Sequence, residues 1–239
     1  RALEDLFINK DIPYELAGGG NFYERKEIKD ILAYIYAAFN LYDKADESME
    51  RIINVPFRYL GKKFLGELNE YREKYKLSFE DALRDIPLEK HQERNVNEFL
   101  NVIDSIRDKK SQKPNLLLNW LVDRIDYANY IRKFEGEGDS ENNRISNIKE
   151  FIRASSKFKN IFEFVDYIDQ LQVKRRKNRR NKNGIILSSI HRAKGLEWNN
   201  VILIGCNEMI LPHSMNTDDD GIEEERRLAY VAITRSKKN

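Results

Sequence analysis

Apolar residues recur at helical spacing over most of the chain. Leu3, Leu6 and Phe7 share one face of a helix predicted over 2–9. Asp11-Ile12-Pro13 ends it, and Tyr14-Glu15-Leu16-Ala17 has the length of a short strand running into Gly18-Gly19-Gly20. From Glu24 onward Ile28, Ile31, Leu32, Ile35 and Phe39 keep a helical period. The same spacing predicts helices around 48–54, 64–76 and 78–85, punctuated by Pro56, Gly61 and Pro87. Further helices are predicted over 95–108, where Val96, Phe99, Leu100 and Ile103 carry the pattern, and over 115–133, 144–155 and 161–173. Gly136 and Gly138 mark a polar loop.

From Gly184 the pattern changes. Ile185-Ile186-Leu187-Ser188-Ser189-Ile190 and Val201-Ile202-Leu203-Ile204-Gly205 are short runs rich in β-branched residues, as expected of buried parallel strands. Asp218-Asp219-Asp220 then offers capping carboxylates for a helix over about 222–234. Strand signals near both ends flank a helical middle. The fold class expected is α/β, a sheet domain interrupted by a mostly helical insertion. The segments expected are 1–90, 91–181 and 182–239, the first and last forming one domain.

Composition narrows the function classes. The 239 residues are 41% hydrophobic and 34% charged, with 12 Phe, 12 Tyr and 2 Trp, so a core is present beneath a heavily ionised surface. The run from Ile31 to Phe39 is far shorter than the roughly 20 residues of a membrane span, and no membrane partner is expected. The one cysteine, Cys206, excludes an internal disulfide and suits a reducing, cytoplasmic compartment. A chain opening on Arg-Ala-Leu-Glu, without Met or a signal pattern, reads as a piece of something larger.

The net charge of +2 hides an uneven distribution. Lys174-Arg175-Arg176-Lys177-Asn178-Arg179-Arg180-Asn181-Lys182 holds seven basic residues and no acid; without it the 40 acidic residues outnumber the basic ones. Such a run is either a phosphate-binding loop or a solvated connection.

Several chemistries are missing from the sequence. There is no Gly-x-x-x-x-Gly-Lys-Ser/Thr phosphate loop, and Gly18-Gly19-Gly20 lacks dinucleotide-fingerprint spacing. His91, His191, His213 and Cys206 have no metal-ligand spacing, so no metal site is expected in the chain. Two polar clusters remain. Ser189, His191, Lys194 and Glu197 lie just past a predicted strand, where open α/β sheets bind ligands. Arg235 falls within roughly 20° of Leu228 on the last helix, sharing its apolar stripe with Val231 and Ala232. An arginine there is either a partner of the helix C-terminus or a planar fork aimed at a phosphate.

Ser189-Ile190-His191-Arg192-Ala193-Lys194-Gly195-Leu196-Glu197-Trp198 closely resembles motif V of the UvrD/PcrA/Rep helicases of superfamily 1. The segment from Glu223 to Arg235 resembles their motif VI, Leu211-Pro212-His213 stands where the family has a similar DNA-facing turn, and Arg1-Ala2-Leu3-Glu4 is similar to the tail of motif IV. Gly18 to Asp30 matches the segment that follows motif IV; the likeness is strong over 1–60 and 184–238 and positional between them.

The resemblance implies a RecA-like second motor domain with a helical insertion, the C-terminal part of an ATP-dependent DNA helicase serving repair or replication. It implies that Arg235 is the arginine finger and that Glu197 meets the nucleotide ribose, with Gly195 close by. Ser189, His191 and His213 would face single-stranded DNA. The implied partners are single-stranded and duplex DNA and an N-terminal motor domain of the same protein. That domain would carry the phosphate loop and the ligands for ATP and Mg²⁺, leaving this chain inactive alone. Arg58-Tyr59-Leu60-Gly61-Lys62 departs from the family, which has a Gly-Ile-Gly turn there. The reading from a different class is a non-catalytic nucleic-acid or protein-binding module on the same fold.

Overall fold

A computed structural model describes residues 2–17, 21–134, 139–178, 184–207, 210–213 and 218–238. The chain divides into two compact units, one of 21–170 and one made from 1–20 together with 171–239.

The larger unit is all-helical and is organised around α2 (Lys26–Phe39). Every residue of α2 from Ile28 to Ala38 is buried except Lys29, because apolar and small side chains occupy nearly its whole circumference. Asn40 ends the helix in the left-handed conformation at φ 47°, which asparagine tolerates. Packed on α2 are α3 (Ala45–Ile52), α6 (Lys90–Asp108), α7 (Pro114–Arg124) and α9 (Asp139–Ser155). α4 (Lys62–Tyr75) and α5 (Phe79–Asp85) pack on each other, and α5 also meets α3. Ser78 caps α5, and its side chain accepts the Asp81 N–H at 3.1 Å.

Two polar devices fasten these helices. Asp30, 1% exposed, accepts Arg51 Nε at 2.8 Å and the Tyr127 hydroxyl at 2.6 Å, so a buried carboxylate on α2 is paired and hydrogen-bonded as burial requires. Arg107 on α6 grips Glu80 on α5 with two parallel bonds of 2.7 and 2.5 Å and donates to the Ala38 carbonyl at 2.7 Å.

In the two-segment unit, α1 (Ala2–Asn9) leads to β1 (Tyr14–Leu16), which pairs in parallel with β2 (Ile185–Leu187) in the register Tyr14↔Ile185 and Leu16↔Leu187. A Cβ on Gly184 would stand 2.6 Å from the Pro13 backbone, so this close approach admits only glycine. The unit closes with α11 (Asp219–Ile233), capped by the Asp218 carboxylate on the Gly221 N–H at 3.1 Å.

The described structure is thus mostly helical with a small parallel sheet. Three local expectations are corrected. The stretch 115–133 is two helices, α7 and α8 (Tyr127–Phe134), because Asp126 takes a left-handed φ of 50° between them. Periodicity cannot register such a break when the apolar residues stay in phase on either side. α10 spans Ile161–Asn178, so the first half of the basic run is helical and not a linker. Residues 201–205 form no strand: Ile202 is 88% exposed, and no described strand lies beside them to complete a ladder. Gly18-Gly19-Gly20 and 179–183 lie outside the described residues. Among the described residues, no helix is long and apolar enough to cross a membrane, and no group of three or more His, Cys, Asp or Glu residues could hold a metal ion.

Candidate functional site

The chain leaves β2 at Leu187 and turns through a 3-10 helix, His191–Ala193. The Ala193 N–H meets the carbonyls of Ser189 and Ile190 at 3.0 and 3.1 Å, which fixes the turn. Ser189 and His191 are exposed on it, immediately beyond the carboxyl end of the strand. Gly195 then adopts φ 85°, a conformation that side chains rarely take, and redirects the backbone toward Leu196 and Glu197.

That redirected segment is zipped to the end of α11. The Trp198 N–H donates to the Arg235 carbonyl at 3.0 Å, and the Lys237 N–H returns to the Trp198 carbonyl at 2.8 Å. Trp198 and Ser236 form an isolated parallel bridge. Arg235 folds back over the same junction: Nε donates to the Val231 carbonyl at 3.0 Å, Nη1 to the Leu196 carbonyl at 3.1 Å, and Nη2 to Thr234 Oγ1 at 3.1 Å. The Val231 carbonyl is one that a helix C-terminus leaves without an intrahelical partner, and the guanidinium satisfies it while also reaching the Leu196 carbonyl outside the helix. Glu197 lies 3.6 Å from Lys237, both about half exposed. Gly195, Glu197 and Arg235 are therefore gathered within one hydrogen-bonded junction.

The remaining candidates are placed apart along the chain. His213 is exposed on a separate turn, where it bridges Ile210. Glu223 pairs with Arg226 at 2.5 Å and with Arg227 at 4.0 Å on the outer face of α11, while Glu225 and Ala232 are buried. Arg175, within the basic run, is buried and stands 3.7 Å from Glu4, so this cation is a packing partner and not part of a solvated linker. The roles of Leu196 O, Ser236 and Lys237 went unforeseen in the sequence. They act through the backbone or lie past the end of the last helical period, and residue type alone carries no sign of such pairing.

The sequence has counterparts among known proteins. The family model for the UvrD-like helicase C-terminal domain matches residues 1–239. The chain is 32% identical to an ATP-dependent DNA helicase Rep of Buchnera aphidicola, over 100% of this chain and 39% of that protein. It is 33% identical to a DNA helicase II of Rickettsia typhi, over 100% of this chain and 37% of the relative. With an ATP-dependent DNA helicase PcrA of Staphylococcus aureus it shares 32% identity over 99% of this chain and 34% of that protein. The chain spans less than two-fifths of the length of each of these relatives. A match over its whole length, with two long motifs meeting in one junction, places the chain in the UvrD-like helicase C-terminal domain family.

Proposed function

We propose that this chain is the second motor domain, with its helical insertion, of an ATP-dependent DNA helicase acting in DNA repair or replication in the cytoplasm. In this reading 1–90 and 182–239 form the RecA-like motor part, and 91–181 is the helical insertion. The observation that carries this reading is the junction joining Gly195 and Glu197 to Arg235 through the Leu196 carbonyl. A residue that must meet a nucleotide needs a fixed backbone behind it, and this junction supplies one.

The residues fit a nucleotide phosphate. Arg235 commits three of its five N–H donors to protein acceptors, which leaves two in a planar fork for phosphate oxygens. Glu197, exposed on the same segment, has acceptors available for ribose hydroxyls. ATP with Mg²⁺, when bound, supplies phosphoryl transfer; the chain's own part is to orient the nucleotide and meet charge on its terminal phosphate. Ser189, His191 and His213 are exposed polar residues suited to a DNA strand. Ile185 and Ile186 on the short sheet, and Ile202 and Ile204 later in the chain, are exposed, which is consistent with further polypeptide covering them.

The sequence holds no phosphate loop, so the isolated chain is expected to show background ATPase activity with or without single-stranded DNA. The longer polypeptide is expected to show DNA-stimulated turnover. Stimulated turnover that purifies with the 239-residue chain would refute the division of labour. One observation favours a second reading, a non-catalytic binding module. Arg235 is already engaged by its own helix end, and ATPase assays on the longer polypeptide separate the two readings.

A further inference from the structure

Thr234 stands between the end of α11 and the Arg235 guanidinium. Its hydroxyl oxygen lies 3.0 Å from the Tyr230 carbonyl, 3.0 Å from the Val231 carbonyl and 3.1 Å from Arg235 Nη2. A hydroxyl carries one proton and two lone pairs, carbonyl oxygens only accept, and a guanidinium only donates. The direction of each bond follows. The proton goes to a helix-end carbonyl, and the oxygen accepts from Arg235.

The backbone shows why these acceptors are available. The Thr234 N–H reaches the Tyr230 carbonyl at 3.0 Å, but the Arg235 N–H bonds the Ala232 carbonyl at 3.3 Å in place of that of Val231. The Val231 carbonyl therefore takes its donors from side chains, Arg235 Nε at 3.0 Å and the Thr234 hydroxyl. A threonine bonded back to the preceding turn is by itself an ordinary helix feature. Here the same oxygen also holds one nitrogen of an arginine.

Three acceptors thus surround the guanidinium. The Val231 carbonyl meets Nε, Thr234 Oγ1 meets Nη2, and the Leu196 carbonyl meets Nη1 from the loop that follows Gly195. A planar group bonded at all three nitrogens cannot turn about its Nε–Cζ bond without breaking one of these contacts. Of the three acceptors, Thr234 Oγ1 is the one that a side chain supplies, so it is the point at which residue type decides the hold. A valine of the same shape would leave both carbonyls in place and Nη2 without its acceptor.

We propose that Thr234 is a positioning residue for Arg235. Its hydroxyl, oriented by the carbonyls at the end of α11, fixes the plane in which the guanidinium meets the terminal phosphate of the nucleotide. Donors held in place beforehand need no rearrangement when charge develops on that phosphate, and a loosely held donor loses this advantage. The catalytic consequence rests on the reading of Arg235 as an arginine finger; the hold itself rests on the three bonds.

The test compares Thr234→Val with Thr234→Ser. In the longer polypeptide, Thr234→Val is expected to lower the DNA-stimulated kcat about tenfold, the scale of one hydrogen bond to a charged group. KM for ATP should stay within about twofold, since the arginine meets charge that grows in the transition state and not in bound ATP. Thr234→Ser keeps the hydroxyl and should return kcat to within about twofold of the parent. In an Arg235→Lys background Thr234→Val should cost little more, because the group it positions is gone. On the 239-residue chain, NMR reads rotation about the Arg235 Nε–Cζ bond from exchange between its two Nη resonances, assigned by their absence in Arg235→Lys. Rotation should speed up roughly tenfold in Thr234→Val and keep the parent rate in Thr234→Ser.

Parent-like rotation in Thr234→Val would overturn the hold. Faster rotation with unchanged kcat would overturn its part in catalysis, and equal losses in the valine and serine variants would overturn the hydroxyl in favour of side-chain shape. A parent polypeptide without DNA-stimulated turnover would sink the helicase reading; the rotation rates would then still decide whether Thr234 fixes Arg235.

Discussion

The carbonyl of Leu196 accepts Nη1 of Arg235 at 3.1 Å across 39 residues of sequence. With the backbone exchange between Trp198 and the Arg235–Lys237 stretch, this bond makes the loop after β2 and the end of α11 one structural piece. Anything that displaces one half displaces the other. The two halves of the proposed nucleotide contact are therefore coupled by construction.

Arg235→Lys in the longer polypeptide should lower ATPase turnover by about 10³-fold or more, the scale of a lost arginine finger. A lysine is a point charge and cannot hold Leu196, Val231 and a phosphate at once. Because Arg235 also bonds its own helix end, stability should fall as well, by about 1 kcal/mol. Turnover, nucleotide affinity and melting are to be measured on the same preparation. Near-normal turnover with a large drop in melting temperature would make Arg235 a helix-end residue only.

Arg175 separates two roles within the basic run. It is buried beside Glu4, so Arg175→Gln should destabilise the chain by about 1–3 kcal/mol and leave the salt dependence of DNA binding unchanged. A buried, paired guanidinium releases no counterions when DNA binds. Arg179→Gln with Arg180→Gln should flatten the slope if the rest of the run meets phosphates. A flattened slope in Arg175→Gln would contradict the burial of this residue.

What was legible in the sequence follows from what each signal encodes. The period of Ile28, Ile31, Leu32 and Ile35 announced α2 because one side chain in three or four had to face a core, and all four are buried. The strand at 185–187 was legible for its β-branched residues, and the identical signal at 201–205 misled, since β-propensity describes a side chain and a strand needs a neighbour. The break at Asp126 was invisible because Ile125 and Tyr127 stay buried on both sides of it. Motif likeness singled out Gly195, Glu197 and Arg235 as candidates. Their gathering was not legible, because it depends on backbone bonds between Trp198 and Ser236's neighbours that any residue type could make.

Two glycines give opposite expectations under the same substitution. Gly184→Ala places a Cβ 2.6 Å from the backbone of Pro13, just before the paired strand β1, and backbone cannot rotate away. The β1–β2 pairing should be lost or strained at a cost of about 1–3 kcal/mol. Gly66→Ala lies within α4 with nothing within 4 Å of the new methyl, and should stabilise the chain by about 0.5–1 kcal/mol. Urea denaturation of both variants checks the pair. Equal effects of the same sign would mean that the close approach at Gly184 is not fixed.

Glu80 ties stability to pH. The hydrogen bonds from Arg107, reinforced by those from Arg84, hold its carboxyl down at about 2 against the opposing effect of burial. A carboxyl whose folded value is depressed contributes stability above its unfolded value of about 4.3, and loses that contribution as pH falls through the folded value. Glu80→Gln keeps the shape and removes the charge. The gap in stability between parent and variant should be constant above about pH 5, at roughly 1–2 kcal/mol after allowance for solvent screening. It should then close between about pH 4.5 and pH 2, where the parent's carboxyl takes up the proton that Gln mimics. Chemical denaturation at stepped pH reads the gap directly. A gap that stays constant down to pH 2 would mean that the Arg107–Glu80 pair, though bidentate at 2.7 and 2.5 Å, contributes no charge-dependent stability.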